Sequence, residues 1–206
     1  MLTYTIANTK PKIDAVRGLI SKVYKQEGYL PENEERSPIH KYLNKPGATT
    51  FLCSLDTHAV GTISLIQDMG EIPMDTLFNK ELCVLRTNDS SITEVSQFAI
   101  DHEALSRFAL SEREISLNLL SLIIHFSFEH NINTYVFAIN PKHVKFYEFL
   151  GAVAFSEERT YNSVNGAPAI AYRLDTLKLK MQAHEGHADN LILRKVCLQT
   201  PPHLTV

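Results

Sequence analysis

Apolar residues recur at two spacings along this chain, and the spacings predict a series of strands and helices. Alternation of apolar and polar positions predicts a half-buried strand, whereas apolar positions three or four residues apart predict an amphipathic helix. Strands are predicted over residues 2–6, 50–55, 60–66, 92–100, 134–139, 153–160 and 167–174. Helices are predicted over residues 11–26, 74–86, 115–128, 143–150 and 177–181. This order predicts one mixed sheet with helices on both faces.

Three segments lack a clear period. Residues 29–47 contain Pro31, Pro38 and Pro46 and predict an irregular lid with a helical turn near 39–43. Residues 101–110 are predicted to form a loop. Residues 183–206 are polar and predict a C-terminal tail, in which 191–193 could add an edge strand. One domain over residues 1–182, followed by that tail, suits a chain of 206 residues.

Composition excludes several classes of function. The net charge of −3 argues against nucleic acid as a partner, although a local basic patch could still bind an acidic carrier. Polar residues interrupt the longest apolar run, at 115–128, so no membrane span is expected. Three widely spaced cysteines and nine histidines form no disulfide or metal pattern. No signal peptide is recognisable, and a reducing cytoplasm is the expected location.

The segment 92–128 combines a strand, a loop and a capped helix. Its strand carries the carboxylate of Glu94, and Ser111 stands three residues before Glu114, which is the spacing of a capping box. Free backbone amides at a helix N-terminus favour an anion. The segment therefore suggests a site that holds a phosphate-bearing acyl donor and transfers its acyl group.

Several short motifs, in order, resemble a known family. They are Val23-Tyr24-Lys25-Gln26-Glu27-Gly28-Tyr29, Gly61-Thr62-Ile63-Ser64-Leu65 with Asp68, Pro73-Met74-Asp75, Glu94-Val95-Ser96-Gln97-Phe98-Ala99-Ile100, and Asn140-Pro141-Lys142-His143 with Phe146-Tyr147. The first four together resemble the FeeM-type long-chain N-acyl amino acid synthases, which have the GNAT acyltransferase fold and are relatives of the acyl-homoserine lactone synthases. The fifth resembles the acetyltransferase segment that closes the donor site. The resemblance implies an α/β (α+β) protein whose mostly antiparallel central sheet has about seven strands.

The resemblance also implies a reaction. A fatty acyl thioester, usually carried on acyl carrier protein by phosphopantetheine, would donate its acyl group to the amine of an amino acid or similar molecule. The thioester, as acyl-ACP or acyl-CoA, is a co-substrate, and no tightly bound cofactor is expected. Two alternatives remain open: a coenzyme A-dependent acetyltransferase of a small amine or peptide, and a non-catalytic protein that binds an acyl thioester.

Amide formation from a thioester requires a base, a stabilised oxyanion and protonation of the leaving thiolate. Glu94 is the candidate base, and Tyr147 is the candidate acid. The alternative for Glu94 is a solvated or structurally paired carboxylate, and for Tyr147 it is a packing residue.

Backbone amides of Phe98, Ala99 and Ile100 are candidates to bind the donor, because the resemblance implies that this strand splays from the next one. Arg107, Ser111 and Arg113 are candidate phosphate ligands. The candidate substrate and acyl pocket contains Tyr24, Met74, Phe78, Ser96 and Gln97, to which Leu77, Leu120 and Ile124 could add apolar lining. For the apolar members the alternative is ordinary core, and for Asp68 and Asp75 we expect salt bridges.

Two departures from the pattern bear on the substrates. Gln97 stands where the lactone synthases commonly have an arginine. Its side chain is neutral, which argues against a role for this position in binding the carboxylate of the acceptor. Residues 101–110 contain no glycine, so the loop that wraps the coenzyme A pyrophosphate in many acetyltransferases is absent. That absence favours acyl carrier protein over coenzyme A.

Overall fold

The computed structural model describes residues 1–88, 91–185 and 191–205. The strands are β1 Leu2–Ile6, β2 Ala48–Leu55, β3 His58–Gln67, β4 Ile92–Ile100, β5 Thr134–Ile139, β6 Val153–Ala154, β7 Arg159–Tyr161 and β8 Ala167–Asp175. The helices are α1 Lys10–Gln26, α2 Asp75–Asn88, α3 His102–Arg107, α4 Glu112–His130, α5 Val144–Phe149, α6 Thr176–His184 and α7 Leu191–Cys197. Short 3₁₀ helices cover Pro38–Asn44, Pro141–His143 and Asn162–Val164.

The strands form one sheet in the order β1-β2-β3-β4-β5-β8-β6, with β7 paired to β8. Each described strand pair is antiparallel except β4 with β5. The mixed, mostly antiparallel GNAT-like sheet is thus confirmed, with eight strands in place of about seven. The predicted strand 153–160 divides into β6 and β7 because Ser156 leaves the ladder, and its hydroxyl accepts a hydrogen bond from the Ala171 amide at 2.8 Å.

Helices cover both faces of the sheet, as predicted. Alternate residues of the strands contribute to two apolar layers: Phe51 and Cys53 of β2 lie in one, and Leu52 lies in the other. The first layer is completed by α4, α6 and α7, and the second by α1, α2 and the 3₁₀ helix Pro38–Asn44. The two-residue period of β2 therefore supplies both cores.

The predicted loop 101–110 contains a helix, α3. Asp101 caps it by accepting a hydrogen bond from the Ala104 amide at 3.1 Å. Lys22 of α1 forms salt bridges with Asp101 at 2.9 Å and with Glu103 at 2.7 Å. The loop prediction was wrong because the cap and the Lys22 contacts stabilise a turn that has no apolar period of its own.

The predicted edge strand at 191–193 is also wrong, because these residues begin α7. Leu193, Val196 and Cys197 are buried at helical spacing, and α7 packs on α4. Residues 186–190 and 206 of the predicted tail lie outside the described residues. Within the described ranges, no helix is long and apolar enough to cross a membrane.

Candidate active site

The parallel pair β4 and β5 opens into a wedge. The two strands pair only where Ile92–Glu94 lies beside Thr134–Val136, whereas β4 stays paired with β3 as far as Ile100. β5 likewise stays paired with β8 as far as Ile139. A cavity of about 320 Å³ fills the wedge, lined by β4 from Glu94 to Phe98 and by β5 from Phe137 to Ile139. The splay that the resemblance implies is present, and backbone groups of β4 beyond Glu94 that face β5 have no strand partner.

β4 contains a bulge beside the wedge. Thr62 and Ser64 of β3 stand opposite Ala99 and Ser96, so β4 has one additional residue between them. Gln97 lies within this bulge at a φ of 57°, which is uncommon for a residue with a side chain. Bulges redirect a strand and recur beside active sites. Here the bulge lies beyond Glu94, the last residue of β4 that pairs with β5, and it borders the wedge.

Glu94 is the buried acid at the closed end of the wedge. It is 2% exposed, and its Oε2 atom accepts a hydrogen bond from the Met74 amide at 2.8 Å. Burial raises the pKa of Glu94 to about 8, against the opposing effects of hydrogen bonds from the Met74 amide and the Ser96 side chain. A carboxylate with this pKa is a base suited to neutral pH.

The loop that supplies the Met74 amide is itself fixed by ion pairs. Both terminal nitrogens of Arg86 donate to Asp75, each at 2.7 Å, and Arg86 Nε also pairs with Asp68. Asp75 accepts a further hydrogen bond from the Ile72 amide at 2.8 Å. The expected salt bridges of Asp68 and Asp75 are confirmed. They hold the backbone that positions Glu94.

Four tyrosines line the cavity: Tyr24, Tyr29, Tyr147 and Tyr161. Burial raises the pKa of Tyr147 to about 12, and it also raises the pKa values of Tyr24 and Tyr161. The Tyr161 hydroxyl donates to the Pro73 carbonyl at 2.9 Å, next to the residue that contacts Glu94. At neutral pH Tyr24, Tyr147 and Tyr161 are therefore neutral groups that can donate hydrogen bonds.

Gln97 connects the sheet to the predicted lid. Its Nε2 donates to the Ile39 carbonyl at 2.9 Å, and its Oε1 accepts from the Ser64 hydroxyl at 3.1 Å. The Ser64 hydroxyl is also 2.8 Å from Thr50 Oγ1. Gln97 lines the cavity, but both of its side-chain polar atoms bond within the protein. Its contacts fix the 3₁₀ helix Pro38–Asn44 over β4.

The structure brings together six of the predicted site residues around one cavity. They are Tyr24, Glu94, Ser96, Gln97, Phe98 and Tyr147. Their roles stay predictions.

Five apolar residues from the predicted acyl lining lie elsewhere. Met74 and Phe78 are fully buried in the layer beneath α1 and α2, and neither Leu77, Leu120 nor Ile124 lines the cavity. Helical spacing identified a buried face, but that face packs against other helices and strands. For Met74 and Phe78 the expectation of pocket lining is corrected to core.

The other predicted donor ligands are the backbone amides of Ala99 and Ile100 and three side chains at α3 and α4. Ala99 and Ile100 have buried side chains in the two core layers, and the role of their backbone amides stays a prediction. Ser111 caps α4 by accepting a hydrogen bond from the Glu114 amide at 3.2 Å, which confirms the helix start. With Arg113 it lines a shallow depression between α4 and α7, and Arg107 lies exposed on α3 over the Phe108 ring. The side chains proposed as phosphate ligands therefore do not line the wedge.

Other cavity residues had not been predicted as site residues from the sequence. Glu112, the first residue of α4, lines the cavity, and its Oε2 lies 3.4 Å from His102 Nδ1. His143 and Phe146 approach from the segment before and within α5, and Tyr161 and Ala169 approach from β7 and β8. The sequence predicted the strand of Ala169, but no local pattern shows that this hairpin closes one side of the cavity.

The splayed parallel pair of strands is the feature that the resemblance to the GNAT fold implies. The comparisons with known proteins agree. The family model described as N-acyl amino acid synthase FeeM matches residues 15–175. The chain belongs to this family and is an N-acyltransferase.

The solved structure of FeeM, an N-acyl amino acid synthase from uncultured soil microbes, is similar to this chain. The two share 30% sequence identity with a TM-score of 0.79, over 88% of this chain and 95% of FeeM. The acyl-homoserine lactone synthase LasI has 14% identity and a TM-score of 0.66, over 100% of this chain and 99% of LasI. BjaI, a CoA-dependent acyl-homoserine lactone synthase, has 13% identity and a TM-score of 0.62, over 99% of this chain and 96% of BjaI. No curated protein matches the chain.

Proposed function

We propose that this protein transfers a fatty acyl group from acyl carrier protein to the amine of an amino acid or similar small molecule. The observation that carries the proposal is the position of Glu94, a buried carboxylate with a raised pKa that lines the cavity between β4 and β5. Membership of the FeeM family supports the same reaction class. The cytoplasmic location expected from the sequence belongs to this proposal.

The chemistry follows from the groups along the wedge. Glu94 accepts a proton from the acceptor ammonium, and the free amine attacks the thioester carbonyl. A C–N bond forms and the C–S bond breaks; the attacking nitrogen releases its second proton, and the leaving thiolate takes up one proton to become the thiol. Backbone amides of β4 beyond the bulge would stabilise the oxyanion. With a pKa of about 12, Tyr147 serves the thiolate as a hydrogen-bond donor and releases its proton less readily than an unperturbed tyrosine.

Charge at the N-terminus of α4 favours acyl carrier protein as the donor. The carboxylate of Glu112 lines the cavity at that end. Its negative charge repels the pyrophosphate of coenzyme A more strongly than it repels the single phosphate of phosphopantetheine. In addition, α3 occupies the segment in which many acetyltransferases have a glycine-containing pyrophosphate loop.

The outer surface beside the cavity suits an acidic carrier. Lys142 and Lys145 are exposed there, and Phe149 is 52% exposed. Lys142 also pairs with Glu27 and lies over the Tyr29 ring, so it connects this surface to the cavity wall. An exposed lysine such as Lys145, with an exposed aromatic residue on the same helix, can contact an acidic partner.

The reaction is tested with purified protein, palmitoyl-ACP or palmitoyl-CoA, and a panel of amino acids and amines, with products identified by mass spectrometry. We expect N-acyl amides, formed faster from palmitoyl-ACP. Glu94→Gln should lower kcat/KM at least 100-fold because it removes the base. Glu94→Asp is the matched control, since it keeps the carboxylate and should retain more activity. Thioester hydrolysis without amide formation, or full activity of Glu94→Gln, would contradict the assignment.

The carrier surface is tested by Lys145→Glu. We expect KM for palmitoyl-ACP to rise about 10-fold through like-charge repulsion, with little change for palmitoyl-CoA. Lys178→Glu on α6 is the control, because Lys178 is exposed and lies away from the described cavity lining. Equal effects of the two variants would argue against docking at α5.

One observation supports coenzyme A as the alternative donor. The structure of BjaI, a CoA-dependent synthase studied with isopentyl-CoA, shares the fold at 13% identity. Faster amide formation from palmitoyl-CoA than from palmitoyl-ACP would select this alternative. A protein that bound either thioester without consuming it would instead be a non-catalytic member of the fold.

A further inference from the structure

The peptide group that joins Pro73 to Met74 lies between Glu94 and a tyrosine of the cavity lining. Its N–H donates to Glu94 Oε2 at 2.8 Å, and its C=O accepts from the Tyr161 hydroxyl at 2.9 Å. The carbonyl also accepts from the Thr76 hydroxyl at 3.0 Å. One peptide group therefore connects the candidate base to two hydroxyl groups that come from separate elements, β7 and α2.

Hydrogen bonds on the two ends of a peptide group affect each other. A donor on the carbonyl draws electron density from the peptide nitrogen and makes the N–H a stronger donor. It also fixes the direction in which the N–H points. A stronger, well-directed N–H stabilises the ionised form of an acceptor carboxylate more than its protonated form. The hydroxyl of Tyr161, which is itself buried, can therefore influence Glu94 without contacting the carboxylate.

The hairpin of β7 and β8 is fixed in the position that this contact requires. Arg159, two residues before Tyr161, donates to the Leu77 carbonyl on α2 at 2.9 Å. At the turn of the hairpin, the side-chain amide of Asn165 donates to the Gly28 carbonyl at 3.0 Å, just after α1. These contacts join the hairpin to both helices, so the tyrosine ring is held beside the Pro73 carbonyl.

We infer that Tyr161 is a positioning residue for Glu94, because its hydroxyl orients and polarises the peptide group whose amide binds that carboxylate. The inference rests on the proposed function, in which Glu94 is the base of the acyl transfer. Loss of the hydroxyl weakens the hydrogen bond from Met74, so the ionised form of Glu94 becomes less stable and its pKa rises. At neutral pH a smaller fraction of the protein then has Glu94 ready to accept a proton.

Other titratable groups face Glu94 and affect the same titration. After burial, which has the largest effect, the charges of Asp75 and Asp68 also raise the pKa of Glu94. Tyr24 of α1 and Tyr42 of the lid also interact with Glu94, and burial raises the pKa values of both phenols. All of these groups are present in the wild type and in the variants below. A difference between the proteins therefore reports the substituted side chain.

The first measurement is a titration of Glu94 that needs no turnover. Protein labelled with ¹³C at the glutamate carboxyl carbons is followed by NMR between pH 6 and pH 9.5, and the signal lost in Glu94→Gln identifies the residue. In Tyr161→Phe, which keeps the ring, we expect the pKa of Glu94 to rise by about 0.3–0.7. Thr76→Val removes the other hydroxyl from the same carbonyl and should raise that pKa as well.

Thr76→Val also separates the peptide group from the cavity. Thr76 is exposed on α2 and, within the described ranges, lies outside the cavity lining. An effect of this variant on Glu94 cannot come from a changed substrate contact. Tyr135→Phe is the matched control, because the buried Tyr135 hydroxyl donates to the Ile123 carbonyl at 2.7 Å in the opposite core layer. It removes the same kind of hydrogen bond and should leave the titration of Glu94 unchanged.

The second measurement is kcat/KM against pH, with palmitoyl-ACP and one acceptor for all proteins. The acceptor's own ammonium group then affects every profile equally. For Tyr161→Phe we expect kcat/KM to be about 2–5-fold below the wild type at pH 7 and to approach it as Glu94 ionises above its raised pKa. A tyrosine that only supported the fold, or only contacted substrate, would lower kcat/KM by the same factor at every pH.

The outcomes distinguish this inference from the proposed function. An unchanged Glu94 titration in Tyr161→Phe overturns the inference, as does an equal rise in Tyr135→Phe, and both leave acyl transfer intact. A loss of activity that is the same at every pH also overturns it. If no acceptor of the panel is acylated from either donor by the wild type, the proposed function fails. The NMR titration then still decides whether Tyr161 controls the ionisation of Glu94.

Discussion

At the scale of single residues, burial of Glu94 affects both the stability of the folded protein and the chemistry of the carboxylate. It is almost fully buried, and the Met74 amide is the contact that the backbone provides to its carboxylate. Burial favours the protonated acid, which is why the pKa rises to about 8. The same shift that makes Glu94 a suitable base also makes its ionised form unfavourable to the folded protein.

The raised pKa predicts how stability depends on pH. Above about 4.5 the unfolded chain loses the Glu94 proton while the folded protein retains it, so this group's contribution to stability falls as pH rises toward 8. Glu94→Gln has no such loss. The variant should therefore gain stability relative to the wild type between pH 5 and pH 8, by about 3–4 kcal/mol.

Urea unfolding of both proteins at several pH values measures this difference. Glu129→Gln is a matched control at an exposed acid on α4, and its stability should follow the wild type. A constant difference between Glu94→Gln and the wild type over that range would show that burial does not hold the Glu94 proton. The chemical counterpart is that activity should increase with pH until Glu94 has ionised.

At the scale of elements, the close packing of α4 on β3 depends on one glycine. A Cβ atom at Gly61 would lie 3.0 Å from side-chain carbons of Ile100 and Ile115 and 3.1 Å from Leu119. α4 carries Glu112 to the cavity at its first turn, so its distance from the sheet also sets one wall of the site. Close packing of α4 on β3 therefore requires both the apolar face of the helix and the absence of a side chain at Gly61.

Gly61→Ala is expected to destabilise the protein by about 1–3 kcal/mol, because the added methyl group overpacks this contact. Gly18→Ala is the control: Gly18 is an exposed position on α1 with no atom within 4 Å of the new Cβ, and the change should stabilise the protein by about 0.5–1 kcal/mol. Thermal unfolding shows whether each substitution lowers or raises the stability of the protein. A stable Gly61→Ala would mean that α4 can shift without cost.

Local sequence patterns predicted much of this scaffold, and the reasons for the failures are specific. The residues around Glu94 predicted the strand that carries this carboxylate, because a strand is recognisable from residues that are neighbours in the sequence. Met74 and Phe78 showed a buried face, but periodicity does not distinguish a core from a cavity wall. The contributions of Tyr161 and Ala169 arise when a hairpin folds back over distant strands, and α3 depends on a salt bridge from α1. These contacts are tertiary, so no local pattern contains them.

At the scale of the whole molecule, the C-terminal segment is joined to the first core layer. Leu193 is 6% exposed within that layer, whereas Leu191 on the same helix is 69% exposed. Leu204 forms a bridge with Tyr4, and the Thr205 amide donates to the Tyr4 carbonyl at 2.8 Å. The residues predicted to form a tail thus contribute both to the core and to the first strand.

Leu193→Ala is expected to lower the free energy of unfolding by about 2–4 kcal/mol, through lost burial and the cavity that remains. Leu191→Ala should change it by less than about 0.5 kcal/mol. Chemical unfolding of the pair provides a matched comparison on one helix. Similar values for the two would indicate that α7 contributes little to the fold in solution.

The bridge between Leu204 and Tyr4 has a consequence for crowded solutions. Outer strands with free hydrogen-bonding groups recruit strands from neighbouring molecules and start ordered aggregates. In this protein the C-terminal residues occupy part of the outer side of β1, and β6 at the opposite border has only two residues. Neither border offers a long template, so the fold discourages fibril growth by strand addition.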